Sequence, residues 1–458
     1  MTREPIRTLR LGAFASPAFT IAALGLPISI FLPPLYAELG ISLTVIGMVF
    51  MLTRVFDVLT DPLFGWLGDK LDTRWGRRRP AIIAAVPFLA AGVYFAFFPG
   101  ESASPMTLFL SMLLLYAGWT AFTISHTAWA SELSENYDER SRIMGMLQIF
   151  GLLGTLLVAI LPTILDFTTP DATMSQRTGL TGALVLFSLP LLAMLAVSSV
   201  DERKQPEKND PIPWRLALSS IVKNHHLRRL LLADLLMGFQ SGINGTVHFF
   251  FIAVVLQMPE YASFYLVALF ATGLLSAPLF VKLSYRLGKH RTLCLGTLIS
   301  SVGTCALFFL PADAFWLTFG AYLFIGLNFG ARDLLMRSMM SDVIDEDTVN
   351  TGRERSALYF SMLTLTAKLG AALAIGTILP VLDWVGFDPR GENTQATVDG
   401  VRFVVAATPT LVLLAVAAIM WNFPLDKSLQ SSYRVELDRR KQTGTNVSSA
   451  RGKAVKTP

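Results

Sequence analysis

The chain has 458 residues, of which 53% are hydrophobic and 16% are charged, against about a quarter charged in ordinary soluble domains. Charge depletion over the whole length excludes a soluble enzyme, a disordered scaffold and a nucleic-acid binder. The formal net charge of +5 comes from basic residues gathered at the ends of apolar runs, which is how a polytopic membrane protein is oriented.

A helix needs roughly 20 apolar residues to cross the hydrocarbon. Twelve such segments run along the chain, at 14–37, 41–67, 81–98, 106–132, 141–166, 177–199, 228–256, 261–285, 292–310, 315–341, 355–382 and 401–423. The first is too long for a signal peptide and no cleavage site follows it, so it counts as a span. Basic residues mark alternate connections: Arg3, Arg7 and Arg10 at the start, Lys70, Arg74, Arg77, Arg78 and Arg79 in the 68–80 loop, and Arg286, Lys289, His290 and Arg291 in the 286–291 loop. The 201–229 connection and the tail after 426 are basic too, whereas the intervening loops carry only Arg177, Arg390 and Arg402. Both termini are therefore cytoplasmic, which requires an even number of spans.

Charge and proline in the connection DERKQPEKNDPIPW divide the chain into a six-span half over 1–200, a linker over 201–227, and a second half over 228–425. Residues 213–226 are expected to lie on the membrane surface as a short helix, and the tail 426–458 to be disordered. The halves echo each other. Span 4 ends in SELSENYDERSR and span 10 in SDVIDEDTVNTGRERS; GDKLDTRWGRRRP after span 2 has a fainter partner, YRLGKHR, after span 8. Paired six-helix repeats are the layout of a rocking-bundle transporter with its solute site at mid-membrane. Cys294 and Cys305 read as small packing residues.

Ionisable side chains deep in the bilayer mark pathways or pairs. In span 2, Arg54, Asp57 and Asp61 share one helix face. Counted from Gly68, Asp57 lies about 16 Å and Asp61 about 10 Å inside, at 1.5 Å per residue. One Arg cannot neutralise two carboxylates, so the remaining charge suits a bound Na⁺ or a titrating proton; Pro62 frees a carbonyl beside them. Span 4 carries Thr120, Thr123, Ser125 and His126, with Thr123 about 15 Å deep, level with Asp57. Hydroxyl oxygens there are candidate cation ligands, and His126 is a candidate solute contact. Lys368 in span 11 lies about 22 Å from Arg353, too deep to reach water easily, and needs a carboxylate, a cavity or an anionic solute. Span 7 carries Asp234, Gln240, Asn244 and His248. Gln240 and Asn244 are candidate cavity residues with Gln148, Tyr359 and Thr364. Asp69 and Arg77, Arg78 and Arg79 are candidates for a cytoplasmic latch between the halves, with Glu132, Asp138 or Asp342 as partners.

Four landmarks together are recognisable: R-x-x-D-x-x-x-D-P in span 2, the RWGRRRP loop, SELSENYDER-R after span 4, and TGRERSALYFS leading to AKLGAALA in span 11. With them the chain resembles the major facilitator superfamily, and within it the glycoside–pentoside–hexuronide:cation symporters of the melibiose permease type. The resemblance implies an all-α fold of twelve spans in two pseudo-symmetric bundles. It also implies a Na⁺ or H⁺ site on Asp57 and Asp61 with help from Thr60 and Thr120, and Lys368 beside that site. The sugar-binding carboxylates of melibiose-type carriers have no counterpart here: Ile21 and Thr123 stand in their places, and Gln148 stands where an arginine is common.

The expectation is therefore a cation-coupled symporter of a glycoside-like solute, working by alternating access, with Lys368 and Arg54 linking cation and solute. A carrier of an amphiphile such as a lysolipid, or of an apolar metabolite, is the alternative. Expected partners are the solute, a monovalent cation and the lipid bilayer, with no nucleic acid. The expected cofactor is none beyond the coupling ion. The chain is expected to be a monomer in a bacterial inner membrane.

Overall fold

The computed structural model describes residues 6–442 apart from 71–72, 101–102, 135–136, 170–171, 203–220, 353–354 and 426. Among the described residues the fold is helical throughout. In the first half, α1 (Thr8–Ala15), α2 (Pro17–Ile30) and α3 (Leu32–Glu38) run in series as the first span. The segment expected as a single helix is thus in three pieces. Pro17, Pro33 and Pro34 at the starts of α2 and α3 lack the N–H that would continue the ladder. After a turn at Gly40, whose φ of 95° favours glycine, come α4 (Leu43–Lys70), α5 (Arg78–Phe97), α6 (Pro105–Glu132), α7 (Tyr137–Thr168) and α8 (Met174–Ser199). Capping boxes, Ser104 with Thr107 and Thr173 with Gln176, satisfy the free N–H groups where α6 and α8 begin.

The second half holds α9 (His225–Phe250), extended by a π turn over Phe251–Val255, then α10 (Ala262–Leu287) and α11 (Lys289–Ala306). The tenth span is α12 (Phe315–Leu327) followed by α13 (Phe329–Thr351). Asn328 between them keeps right-handed helical angles, φ −84° and ψ −18°, so the two run on as one crossing. Among the described residues, eleven helices are long and apolar enough to cross a membrane. The tenth span makes the twelfth crossing, and misses that mark because α13 carries Arg332, Asp333 and Arg337. Spans 11 and 12 are α14 (Ser356–Trp384) and α15 (Gln395–Met420).

The tail departs from expectation. Residues Lys427–Gln442 form a helix, α16, rather than a disordered strand of chain. Leu429 and Tyr433, four residues apart and so on one face, pack on the second half's core. Arg434 pairs with Asp345 at 2.8 Å and Arg440 donates to the Val349 carbonyl at 3.0 Å. Acidic and carbonyl groups near the end of α13 give the basic tail a docking place that composition does not reveal. Residues 443–458, and 213–220 of the expected surface helix, lie outside the described residues.

Small residues let the spans approach closely, as in other membrane bundles. A Cβ on Gly92 would sit 2.3 Å from the Leu115 backbone, and one on Gly118 would sit 2.4 Å from the Leu89 backbone. That reciprocal pair locks α5 against α6.

The halves meet toward the extracytoplasmic face. One apolar core runs through the first half and on into the outer parts of α9, α10, α14 and α15. A second core, built around Leu227, Met336, Met340 and Met420, belongs to the cytoplasmic part of the second half alone. At the outer face Asp383 of α14 accepts hydrogen bonds from the backbone and hydroxyl of Thr44 on α4. Phe31 meets Phe249 with ring centroids 5.2 Å apart. Deeper, Gly47 and Gly376 bring α4 and α14 together, since a Cβ on either would meet Ile375 at 3.0 Å or Met51 at 2.5 Å. Among the described residues, hydrogen bonds and ion pairs between the halves are confined to Thr44–Asp383 and the mid-membrane site. The closed outer side and separate inner core define an inward-facing arrangement.

Candidate functional site

At mid-membrane, α4 presents Asp57 and Asp61 one turn apart, and two other helices close on them. From α6, the Thr120 hydroxyl donates to Asp57 Oδ1 and lies 3.1 Å from Asp61 Oδ1. From α14 in the other half, Lys368 Nζ lies 2.7 Å from Asp61 Oδ2 and 3.1 Å from Asp57 Oδ2. Arg54 Nη1 is 3.4 Å from Asp57 Oδ2, and its guanidinium lies over the Tyr116 ring at 4.6 Å and near Trp119 at 5.9 Å. These rings hold the cation by their negative faces. The Asp57 side chain is 3% exposed, whereas Asp61 and Lys368 are 27% and 26% exposed. Two carboxylates facing one ammonium and one guanidinium make the cluster formally neutral.

Other anticipated ligands stand apart. Thr60 donates to the Phe56 and Asp57 carbonyls at 2.9 and 3.1 Å, the usual habit of threonine in a helix. The Thr123 hydroxyl is buried with no hydrogen bond among the described residues. It lines a cavity of about 310 Å³ between α2, α6 and α7, with His126 and Gln148. His126 Nε2 meets the Phe14 carbonyl at 2.9 Å, which ties it to α1.

A second cavity of about 260 Å³ lies between the halves, walled by α2 on one side and by α9, α10 and α13 on the other. Gln240 and Asn244 line it, as expected of a face of α9 pointing inward. His248 also lines it, but is engaged by Tyr322 at 2.7 Å and the Ala262 carbonyl at 2.8 Å. Tyr359 and Thr364 line neither cavity. Tyr359 is fully buried in the cytoplasmic core of the second half, and Thr364 donates to the Phe360 carbonyl at 3.1 Å.

Three neighbours escaped the sequence reading. Arg332 and Asn328 line the central cavity from the tenth span, and Thr366 donates to Asp234 at 2.8 Å. Arg332 was discoverable by the cost-of-burial argument that drew attention to Lys368.

The basic loop is held by the first half and by the first residues of the linker. Arg78, 2% exposed, pairs with Glu132 at 2.8 Å; Arg77 approaches the same carboxylate at 3.8 Å, and Arg79 pairs with Asp201 at 3.1 Å. Glu202 accepts from the backbone N–H groups of Arg77, Arg78 and Arg79, so an anion caps the start of α5. Asp342 pairs instead with Lys289 at 2.7 Å inside the second half. The side chains of Asp69 and Asp138 lie outside the described residues.

Twelve spans in two bundles, with an ion-paired site and a cavity between them, define a secondary transporter rather than an enzyme. Comparison with known proteins takes this further. The family described as "MFS/sugar transport protein" matches residues 13–427, and the chain belongs to it. It is 23% identical to the glucuronide carrier protein homolog of Escherichia coli K12, over 90% of this chain and 92% of that protein. It is 25% identical to a putative sulfoquinovose importer of Salmonella typhimurium, over 99% and 98%. A mutant of the nucleoside transporter NupG, solved by crystallography, shares the fold, with TM-score 0.71 and 13% identity over 90% of this chain and 100% of that one. The resemblance to glycoside–pentoside–hexuronide carriers agrees with these relatives, and the protein is an integral, multi-pass membrane transporter.

Proposed function

We propose that the protein is a symporter that couples a monovalent cation to a sugar-like solute by alternating access. The observation that carries this reading is Lys368 from one half lying between Asp57 and Asp61 of the other. With the ammonium in place the cluster is neutral, and the two carboxylates have no need of another cation. A Na⁺ or a proton must therefore displace Lys368, because two neighbouring carboxylates left bare repel each other. Displacement breaks a bond between the halves at the depth about which they rock. Cation occupancy and conformation are thereby linked, and reciprocity requires solute to raise cation affinity by the factor by which cation raises solute affinity.

Relatives named for glycosides and sugars support a solute of that kind. The amphiphile alternative keeps one supporting observation: α2, which walls both cavities, carries no charged residue. Thermal unfolding of detergent-purified protein separates the two readings. Glycosides, hexuronides and lysolipids are compared with and without Na⁺ and across pH, on the native protein and Asp57→Asn. A ligand at 100 times its dissociation constant adds about 2.7 kcal/mol of apparent stability. The symporter reading expects a sugar to stabilise the native protein and the cation to strengthen that effect only while Asp57 is present. Stabilisation by lysolipids alone would replace it with the amphiphile carrier.

A further inference from the structure

Tyr116 and Thr120 stand one turn apart on α6, and both meet side chains of α4. Thr120 donates a hydrogen bond to Asp57 Oδ1, and the Tyr116 ring holds Arg54, with the guanidinium 4.6 Å from its centroid. Each partner of the Arg54–Asp57 pair thus has its own hold on α6. The pair itself is loose: Nη1 meets Oδ2 at 3.4 Å, against about 2.7–2.9 Å for a close bond between a guanidinium and a carboxylate. Trp119 braces the ring. It stacks on Tyr116 with centroids 6.3 Å apart and planes 21° from parallel, and it lies 3.7 Å from where a Cβ on Gly25 of α2 would sit. Tyr116 is 1% exposed, and its hydroxyl is buried with no hydrogen bond among the described residues. Burying a hydroxyl in that way costs free energy, so what the residue contributes lies in its ring face.

The looseness of the pair matters because of what a guanidinium cannot do. It does not deprotonate, and in two-pronged contact it leaves a carboxylate little charge to offer another cation. Lys368 reaches in from the other half and, in the symporter reading, gives way to the coupling cation. Arg54 sits three residues from Asp57 on the same helix and has no such route of withdrawal. Building on the symporter reading, we infer that Tyr116 is a positioning residue for coupling: its ring, braced by Trp119, keeps Arg54 from closing on Asp57, so that the cation has Lys368 alone to displace. From its place on the ring Arg54 still eases the repulsion between Asp57 and Asp61. Without the ring, the guanidinium would settle on Asp57 and compete with the cation for it.

The test reads cation affinity from melts of detergent-purified protein, titrated with NaCl at ionic strength held constant by choline chloride, and separately with pH. The proteins are the native chain, Tyr116→Leu, Tyr116→Phe, Arg54→Gln and the double variant Arg54→Gln with Tyr116→Leu. Tyr116→Leu should raise the half-saturating concentration of Na⁺, or of protons if those are the coupling ion, about fivefold or more. Tyr116→Phe keeps the ring and should restore an affinity within about twofold of native. With Arg54→Gln already present, adding Tyr116→Leu should change the affinity by less than about twofold, because the competitor is gone. An affinity unchanged in Tyr116→Leu overturns the inference. So does an equal loss with and without Arg54, which would make the ring a packing residue of the site; either result leaves the symporter standing. Should neither Na⁺ nor pH shift the native melt, the symporter reading falls and this inference with it. If Tyr116→Leu does not fold, Tyr116→Met, which fills more of the space without a ring face, takes its place in each comparison.

Discussion

Asp57, Asp61, Thr120 and Lys368 behave as one unit, and their substitutions have distinguishable signatures. Asp57→Asn should leave the protein folded and abolish cation-dependent solute accumulation in proteoliposomes, whereas a purely structural aspartate would show its loss as poor expression. Lys368→Gln removes the ammonium that competes with the coupling ion. Its apparent cation affinity, read from melts against Na⁺ concentration and pH, should rise about tenfold or more, and coupled accumulation should fail because displacement no longer reports occupancy. A cation affinity unchanged or lowered in that variant would argue against competition. Arg78 illustrates a different kind of charge. It is buried against Glu132, which Arg77 also approaches, so Arg78→Gln removes one charge-assisted hydrogen bond and should cost about 1.5–3 kcal/mol. The measurement is the melt in detergent, with Arg79→Gln, on a partly exposed pair, as a milder comparison.

At the scale of the helices, packing depends on where a side chain is missing. Gly92→Val forces a methyl-bearing carbon into the Leu115 backbone, a contact that only a shift of α5 from α6 can relieve. It should destabilise by at least about 1–3 kcal/mol, the usual range for overpacking. Gly320→Ala, where nothing lies within 4 Å of the added carbon, should be nearly neutral or slightly stabilising, since alanine favours helix. Comparable yields and melts for the two variants would mean that α5 and α6 do not pack this way. The tail helix offers a parallel case. Its amphipathic spacing was present in the sequence, but Asp345, the acid that receives Arg434, belongs to a different span, and only folding brings the two together.

For the whole molecule the closed outer face is the feature that can be tested directly. Thr44 and Asp383 already bond across the halves, so Thr44→Cys with Asp383→Cys should form a disulfide under oxidation and hold the protein inward-facing. Transport should be lost on oxidation and return with reductant, and either single cysteine should transport normally throughout. Persistent transport by the cross-linked protein would show that the outer side need not open there.

How much of this could be read beforehand follows from the physics of each feature. Hydropathy was sufficient to place the membrane-spanning segments, because water and lipid impose that constraint segment by segment. The cost of charge in the bilayer made Asp57, Asp61 and Lys368 conspicuous without any structure. Hydroxyls carry no such signal. Thr60, Thr120 and Thr123 look alike along the chain, yet one bonds its own helix, one bridges two carboxylates and one faces a cavity. Tyr359, a candidate cavity residue, lies instead in the core. Arg332 sits in the cavity wall, a position the sequence analysis did not single out. Local composition governs which segments enter the membrane. The pairing of Lys368 with Asp61, 307 positions away, the inward-facing closure and the facing of each polar side chain depend on helix rotation and on contacts between distant segments, which only the packed bundle specifies.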